Sequence, residues 1–381
     1  MKTNGLVVTI GFALFAMFFG SGNLVFPIAV GQESQGHYWM SALGIVLTGV
    51  IVPFLGVLGM MLFKGDINQF FKCFGTKGTF IFSLCALALM GPFGVLARCL
   101  TVMHGALMLL FPEISLPLTS LVICVVIFML TVNKSQIVTI LGSMLTPFLL
   151  LSIAAIAFFG LYYGEMPKSL GENSFSAFKN GFFQGYQTMD LLAAFFFSTF
   201  VIVHLQKKFA GEENQEALAL KVFVKSAFIG AGILSSVYLA LVVLGWKYEA
   251  ILNGQLPQKM LGIIAMESLG PYAAPCICVA VVLACLTTGI VLTSLFADFL
   301  RKEVVRDKIG NGLSLLITLG IGFAVSTLDF AGIAKFLGPI LEATYPALIV
   351  LTMFNIANQL WGVRTSHWPV TATLAAKLFW V

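Results

Sequence analysis

The chain has 381 residues, 59% of them hydrophobic and only 10% charged, with a mean hydropathy of +1.00. Soluble domains are about a quarter charged, so this composition excludes a water-soluble fold and requires an integral membrane protein. The net charge of +5 comes from Lys and Arg scattered through connecting segments and is no nucleic-acid signal.

Ten apolar runs follow one another, at about 5–30, 38–63, 79–111, 115–132, 136–163, 181–205, 222–246, 271–300, 311–328 and 332–354. Each can form a helix that crosses the bilayer, which takes roughly 20 residues. The runs are long and continuous, unlike the short alternating strands of an outer-membrane barrel. A weaker piece, Trp368–Val381, reads as a partial eleventh helix or an interfacial segment. The first run follows Lys2, but it is too long for a signal peptide and no small-residue cleavage site precedes the second run. It is expected to remain a span.

With ten spans, the N-terminus and the even-numbered connections share one side. That side holds thirteen Lys and Arg, against five on the other. The positive-inside rule therefore places the N-terminus in the cytoplasm. Stretches 65–77 and 211–221 read as cytoplasmic surface helices. The outer connections 164–180 and 247–270 can carry short helices over a vestibule.

The first run is interrupted at its centre by Gly20-Ser21-Gly22-Asn23, followed by Pro27. Glycine weakens a helix and proline removes a donor. In hydrocarbon a freed N–H or C=O costs several kcal/mol unless it is satisfied, so a mid-membrane break points to a lined cavity that binds something. The sixth run carries a matching interruption, Gly185-Tyr186-Gln187-Thr188-Met189-Asp190. Splitting ten spans into five and five puts these two breaks in corresponding positions of oppositely inserted halves. Paired discontinuous helices in inverted repeats are the sequence signature of a transporter site at the midplane. The alternative is that these glycines only permit close helix packing. The repeats are 1–163 and 181–354, with 355–381 as the short C-terminal segment.

Little else carries chemistry. The seven cysteines have no C-x-x-C spacing, and the four histidines are too scattered for a metal site. No nucleophile–base pair or phosphate loop is evident, so an enzyme is not expected.

Three motifs, GFALFAMFFGSGNLVFP (Gly11–Pro27), GYQTMDLLAAFFF (Gly185–Phe197) and LACLTTGIVL (Leu283–Leu292), closely resemble the bacterial branched-chain amino acid carrier family, a branch of the leucine-transporter-fold superfamily. The resemblance runs from Gly5 to Phe354. It implies an all-α fold of 5+5 inverted repeats with helices one and six discontinuous. Departures from the family pattern are Ile28 after Pro27, and Ala97 and Gly105 where a proline and a glutamate are usual. The family also usually has two further helices after span ten, and the sequence ends within the first of them.

An amino acid at neutral pH carries a carboxylate beside an ammonium. The half-helix expected after Asn23 begins with unpaired N–H groups and a positive dipole end, which suit the carboxylate. The half-helix before Gly20 ends in free carbonyls, which suit an ammonium or a sodium ion. Gly20, Ser21, Gly22 and Asn23 are the expected substrate residues of the first break, and Gly185, Tyr186, Gln187, Thr188 and Asp190 those of the second. An intramembrane carboxylate is a functional group by default. Asp190 would either pair with the ligand's ammonium or cap the second half-helix. Arg98 and Glu342 also lie within spans and could pair with each other.

Read alone, adjacent Thr287 and Thr288 would be satisfied by their own helix's i−4 carbonyl. The resemblance instead implies a sodium site from these two hydroxyls and the backbone carbonyls of Ala16, Phe19 and Ala284. The implied activity is sodium-coupled symport of leucine, isoleucine or valine, or methionine, at a bacterial inner membrane. No cofactor is expected; the partners are the amino acid, sodium and the lipid bilayer. The alternatives are a proton-coupled symporter of the same fold, with Asp190 or Glu342 titrating, and a non-transporting amino-acid sensor.

Overall fold

The computed structural model describes residues 3–132, 137–164, 173–270, 272–362 and 373. Among these the secondary structure is helical throughout, with no strand. Span one is a broken pair, α1 (Thr3–Phe18) and α2 (Ser21–Gln32). Spans two to five are α3 (Tyr38–Leu62), α4 (Lys72–Leu107), α5 (Leu116–Val132) and α6 (Ile137–Tyr163). Span six is a second interrupted pair, α7 (Ser174–Gln187) and α8 (Asp190–Lys208). Then come α9 (Gln215–Lys247), the short α10 (Met260–Leu269), α11 (Ala273–Val304), α12 (Asn311–Ser326) and α13 (Asp329–Trp361). These account for all ten expected spans.

Some expectations need correction. The third run is not one straight helix, because turns at Gly91–Gly94 divide α4. Residues 215–221 are no separate surface helix; they are the first two turns of α9. Stretch 65–77 makes only two short turns before α4 continues, Ile67–Phe70 and Lys72–Phe74, the first capped by Asp66. The connection after α9 does carry short helices, Glu249–Leu252 and α10. Segment Trp368–Val381, save Thr373, lies outside the described residues.

Lipid-facing apolar side chains remain exposed along the outer helices, among them Leu121, Val125, Met129, Leu151, Phe158 and Phe228. Exposed Trp39, Tyr162, Tyr163 and Tyr272 lie at helix ends on one side of the bundle. There their amphipathic rings suit the headgroup region.

Lipid provides no hydrophobic drive for helices to associate, so packing and close backbone approach must do so. Span one runs along α9, and span six runs along α3. Both crossings are built on glycine. A methyl on Gly31 would strike the Val242 carbonyl, and one on Gly245 the Ile28 carbonyl. Across the other crossing, a methyl on Gly44 would strike the Phe178 carbonyl, and one on Gly181 the Ser41 carbonyl. Spans three and eight pair through α4 and α11, and spans four and nine through α5 and α12. Each partnership is thus between spans whose numbers exchange when five is added, one with seven and six with two.

Glycine-to-bulky changes at these crossings should separate the helices. Gly245→Leu or Gly181→Leu is expected to destabilise the fold by about 1–3 kcal/mol or more. Gly320→Ala, where nothing stands within 4 Å of the added carbon, should be neutral. Thermal melts of the detergent-solubilised protein, read by size-exclusion chromatography, check the contrast.

Candidate functional site

The two breaks meet. Span one bends by 74° between α1 and α2, and the backbone is non-helical at Phe19 and Gly20. The second half-helix starts at Ser21, three residues earlier than expected, which puts Asn23 in its first turn. Asn23 Oδ1 accepts the Gly20 N–H at 3.0 Å. In an unbroken helix that N–H would have gone to the Ala16 carbonyl, so the break frees an oxygen at the end of α1. Pro27 lies inside α2 and lacks the donor that would have reached the Asn23 carbonyl.

In span six, α7 ends at Gln187, and Thr188 closes it by donating to the Gly185 carbonyl at 2.9 Å. Met189 then takes a left-handed backbone conformation, φ 63°, before α8 begins at Asp190. For a residue with a side chain this costs roughly 1–2 kcal/mol. A Cβ added to Gly22 would stand 3.4 Å from Thr188 Cα, so the two interruptions touch.

One side chain joins them. Asn23 Nδ2 donates to Asp190 Oδ2 at 2.7 Å and to the Tyr238 hydroxyl at 2.6 Å. Tyr238 donates to the same Asp190 oxygen at 3.4 Å. All three residues are at most 3% exposed. Because Oδ1 holds the Gly20 N–H, the amide nitrogen must face Asp190. Asp190 therefore does not reach down to cap α8. It bridges spans one, six and seven, and among the described residues no Lys, Arg or His nitrogen lies within 4.0 Å of it. The Thr188 hydroxyl also lies against it. A buried carboxylate held by an amide and two hydroxyls, all neutral, is short of a cation.

Tyr238 was not among the residues singled out in the sequence. It lies mid-way along an ordinary apolar run, and no local signal marks it. Arg98 is the second omission from the expected site. It does not pair with Glu342. Its guanidinium donates to the Gln187 carbonyl at 2.5 Å and to Gln187 Oε1 at 2.6 Å. It stacks over the rings of Phe26 and Phe330 at 5.0 and 5.7 Å.

The remaining expected residues divide. Ser21 is fully buried and accepts from the Cys99 thiol of α4. Gly185 packs against Thr48 of α3, where a methyl would not fit. Tyr186 turns its ring onto Tyr345 of α13, 4.9 Å between centroids. Gln187 lines a cavity of about 310 Å³ that opens beside the start of α7, together with Lys179, Phe183, Gln184 and Glu342.

Of the expected sodium ligands, Thr287 and Thr288 both donate to the Ala284 carbonyl, at 2.8 and 3.1 Å. That is the self-satisfied arrangement open to hydroxyls in a helix, and it leaves their lone pairs free. Thr288 does come to the first break: its methyl and hydroxyl would lie 3.7 and 3.9 Å from a Cβ on Gly20. Ala16, by contrast, is exposed, and α1 and α11 scarcely approach each other elsewhere. Hydroxyl and carbonyl oxygens are the donor set a hard monovalent cation takes.

The model of the branched-chain amino acid transport protein family matches residues 3–379. The chain belongs to that family. Branched-chain amino acid carrier proteins of Staphylococcus aureus are 29% identical over 97% of this chain and 86% of their own length. The backbone resembles Mhp1 in its inward-facing conformation, with TM-score 0.64 and 15% identity over 93% of this chain and 77% of Mhp1. It also resembles the Eremococcus coleocola manganese transporter, with TM-score 0.52 and 14% identity over 98% of this chain and 85% of that one. These likenesses establish the leucine-transporter fold. The transporter is thus a polytopic membrane protein whose family and fold are those of carriers rather than enzymes.

Within this transporter, Asn23→Asp keeps the acceptor for Gly20 but removes both donors and sets a second carboxylate against Asp190. It should cost about 2–4 kcal/mol of stability, and Tyr238→Phe about 1 kcal/mol. Melting of the two variants in detergent measures the difference; equal melting would contradict the assigned hub.

Proposed function

We propose that the transporter is a sodium-coupled symporter of leucine, isoleucine and valine, and that the amino acid binds where the two breaks meet. The observation that carries the reading is Asn23, which links both interruptions beside a buried carboxylate that lacks a cation. The ligand's ammonium faces Asp190. Its carboxylate faces the first-turn N–H groups of α2, where the helix dipole is positive. Phe26 and the aromatic side chains around the breaks favour an apolar side chain. Such a pocket separates one methylene by only about 1–3 kcal/mol, so methionine is an expected weak substrate.

Sodium enters between α1 and α11. The freed carbonyls at the end of α1 and the hydroxyls of Thr287 and Thr288 are its ligands, with Ala16, Phe19 and Ala284 supplying backbone oxygens. Their assembly requires α1 to approach α11, so ion binding holds span one in the shape that completes the amino acid site. Each ligand then stabilises the state the other needs, which is coupling in the thermodynamic sense. Residues 1–163 and 181–354 act as inverted repeats. The exchange of partners between spans one and seven and spans six and two supports this reading. The excess of Lys and Arg on one side supports a cytoplasmic N-terminus in a bacterial inner membrane.

Labelled leucine uptake into proteoliposomes tests the coupling. With choline in place of sodium, uptake should fall at least about tenfold, and Thr288→Ala should raise the sodium concentration for half-maximal uptake by a similar factor. Uptake driven by a pH gradient that ignores both changes would favour the proton-coupled alternative.

A further inference from the structure

Arg98 is a buried cation without an anion. Its residue is 1% exposed, and its Nε has no hydrogen-bond partner. Among the described residues no carboxylate lies within 4.0 Å of it. What fills the fork instead is Gln187. The main-chain and side-chain oxygens of that one residue sit at 2.5 and 2.6 Å from the two terminal nitrogens. Two oxygens on two guanidinium nitrogens form the pattern of a bidentate carboxylate, but both are neutral. A neutral acceptor leaves most of the cost of burying the charge uncompensated.

The surroundings place this fork at the substrate site. Gln187 is the last residue of α7, at the second break. The guanidinium lies over the Phe26 ring, and that ring stands 3.4 Å from the position of a Cβ on Gly22 in the first turn of α2. On its other side, Gln187 forms part of the wall of the 310 Å³ cavity. A ligand in that cavity can touch the Gln187 side chain, whose oxygen holds the Arg98 guanidinium. The Gln187 amide is otherwise held by one bond, Nε2 to the Ala334 carbonyl at 3.2 Å.

We propose that Arg98 is the counter-charge for the carboxylate of the transported amino acid, and that the Gln187 side chain occupies the fork until the substrate's carboxylate displaces it. The inference rests on the amino-acid reading of the site and specifies which group recognises the anionic end. Asp190 and Arg98 then receive the two ends of the zwitterion, one from each side of the span-six break. Because a strong cation replaces dipoles alone, ligands that lack the carboxylate bind more weakly than leucine, through Asp190 and the apolar wall only. The displaced Gln187 side chain is also free to release Ala334 of α13, so substrate binding loosens a tie between spans six and ten.

Binding to the full chain in lipid nanodiscs, by calorimetry, tests this with two ligands: leucine, and isopentylamine, which is leucine without its carboxylate. Arg98→Gln should weaken leucine on the order of a hundredfold while leaving isopentylamine nearly unchanged. Arg98→Gln could also fail to fold, so Gln187→Glu is measured alongside it. That variant keeps the arginine and gives it a permanent carboxylate. It should weaken leucine by about tenfold or more, because leucine must now displace a charged partner, and should leave the amine unaffected. Equal weakening of both ligands, or unchanged leucine affinity in Gln187→Glu, would assign Arg98 a purely structural role and overturn the proposal. If the wild-type protein binds neither ligand, the amino-acid reading itself fails and the proposal with it. If wild type binds leucine and the variants discriminate wrongly, only the role of Arg98 is refuted.

Discussion

A backbone that leaves its helix in hydrocarbon has to find other partners, and the Asn23 side chain supplies them. Its oxygen takes the Gly20 N–H that the break in span one would strand. Its nitrogen reaches across to Asp190 at the break in span six and to Tyr238 in span seven. A single side-chain amide thereby links three spans at one point. Each bond is worth more here than at a water-exposed surface, because no solvent can replace a lost partner. The same scarcity explains why Met189 can be held in a strained conformation: Asp190, the next residue, is fixed by two hydrogen bonds.

The hub is held in place by packing that owes little to polar chemistry. Spans one and seven, and spans six and two, approach until backbone meets backbone at Gly31, Gly245, Gly44 and Gly181. These crossings fix where the half-helices lie and so where their ends point. The contact of α1 with α11 is loose, with Ala16 exposed and Thr288 near Gly20 as the remaining link. A rigid set of crossings with one open seam is the mechanical arrangement that alternating access through rigid-body rocking needs.

Much of this was legible in the sequence, for physical reasons. Runs of about 20 apolar residues fix the spans because a bilayer has a fixed thickness. Gly20 to Asn23 and Gly185 to Asp190 stand out because polar and flexible residues are costly in lipid. The motifs around them carried the family. Harder to read was anything set by tertiary approach. Tyr238 resembles any aromatic residue in an apolar helix until Asn23 is placed beside it. Arg98 invited pairing with Glu342 on charge alone, whereas the fold gives it the oxygens of Gln187. The exact start of α2 depended on whether Asn23 would act through its backbone or its side chain. Its side chain accepts the Gly20 N–H, so the helix begins ahead of it at Ser21. The threonine pair was ambiguous for a related reason: both hydroxyls can bond to Ala284 and still present lone pairs outward.

The central claim is that a zwitterion sits between the two interruptions with Asn23 at its floor. A structure of the protein determined with leucine and sodium in lipid nanodiscs tests it most directly. The account predicts ligand density between Gly20–Asn23 and Gln187–Asp190, with the ammonium beside Asp190. Density elsewhere, with Asn23 still bonded to Asp190 and the space between the breaks filled by protein side chains, would contradict it.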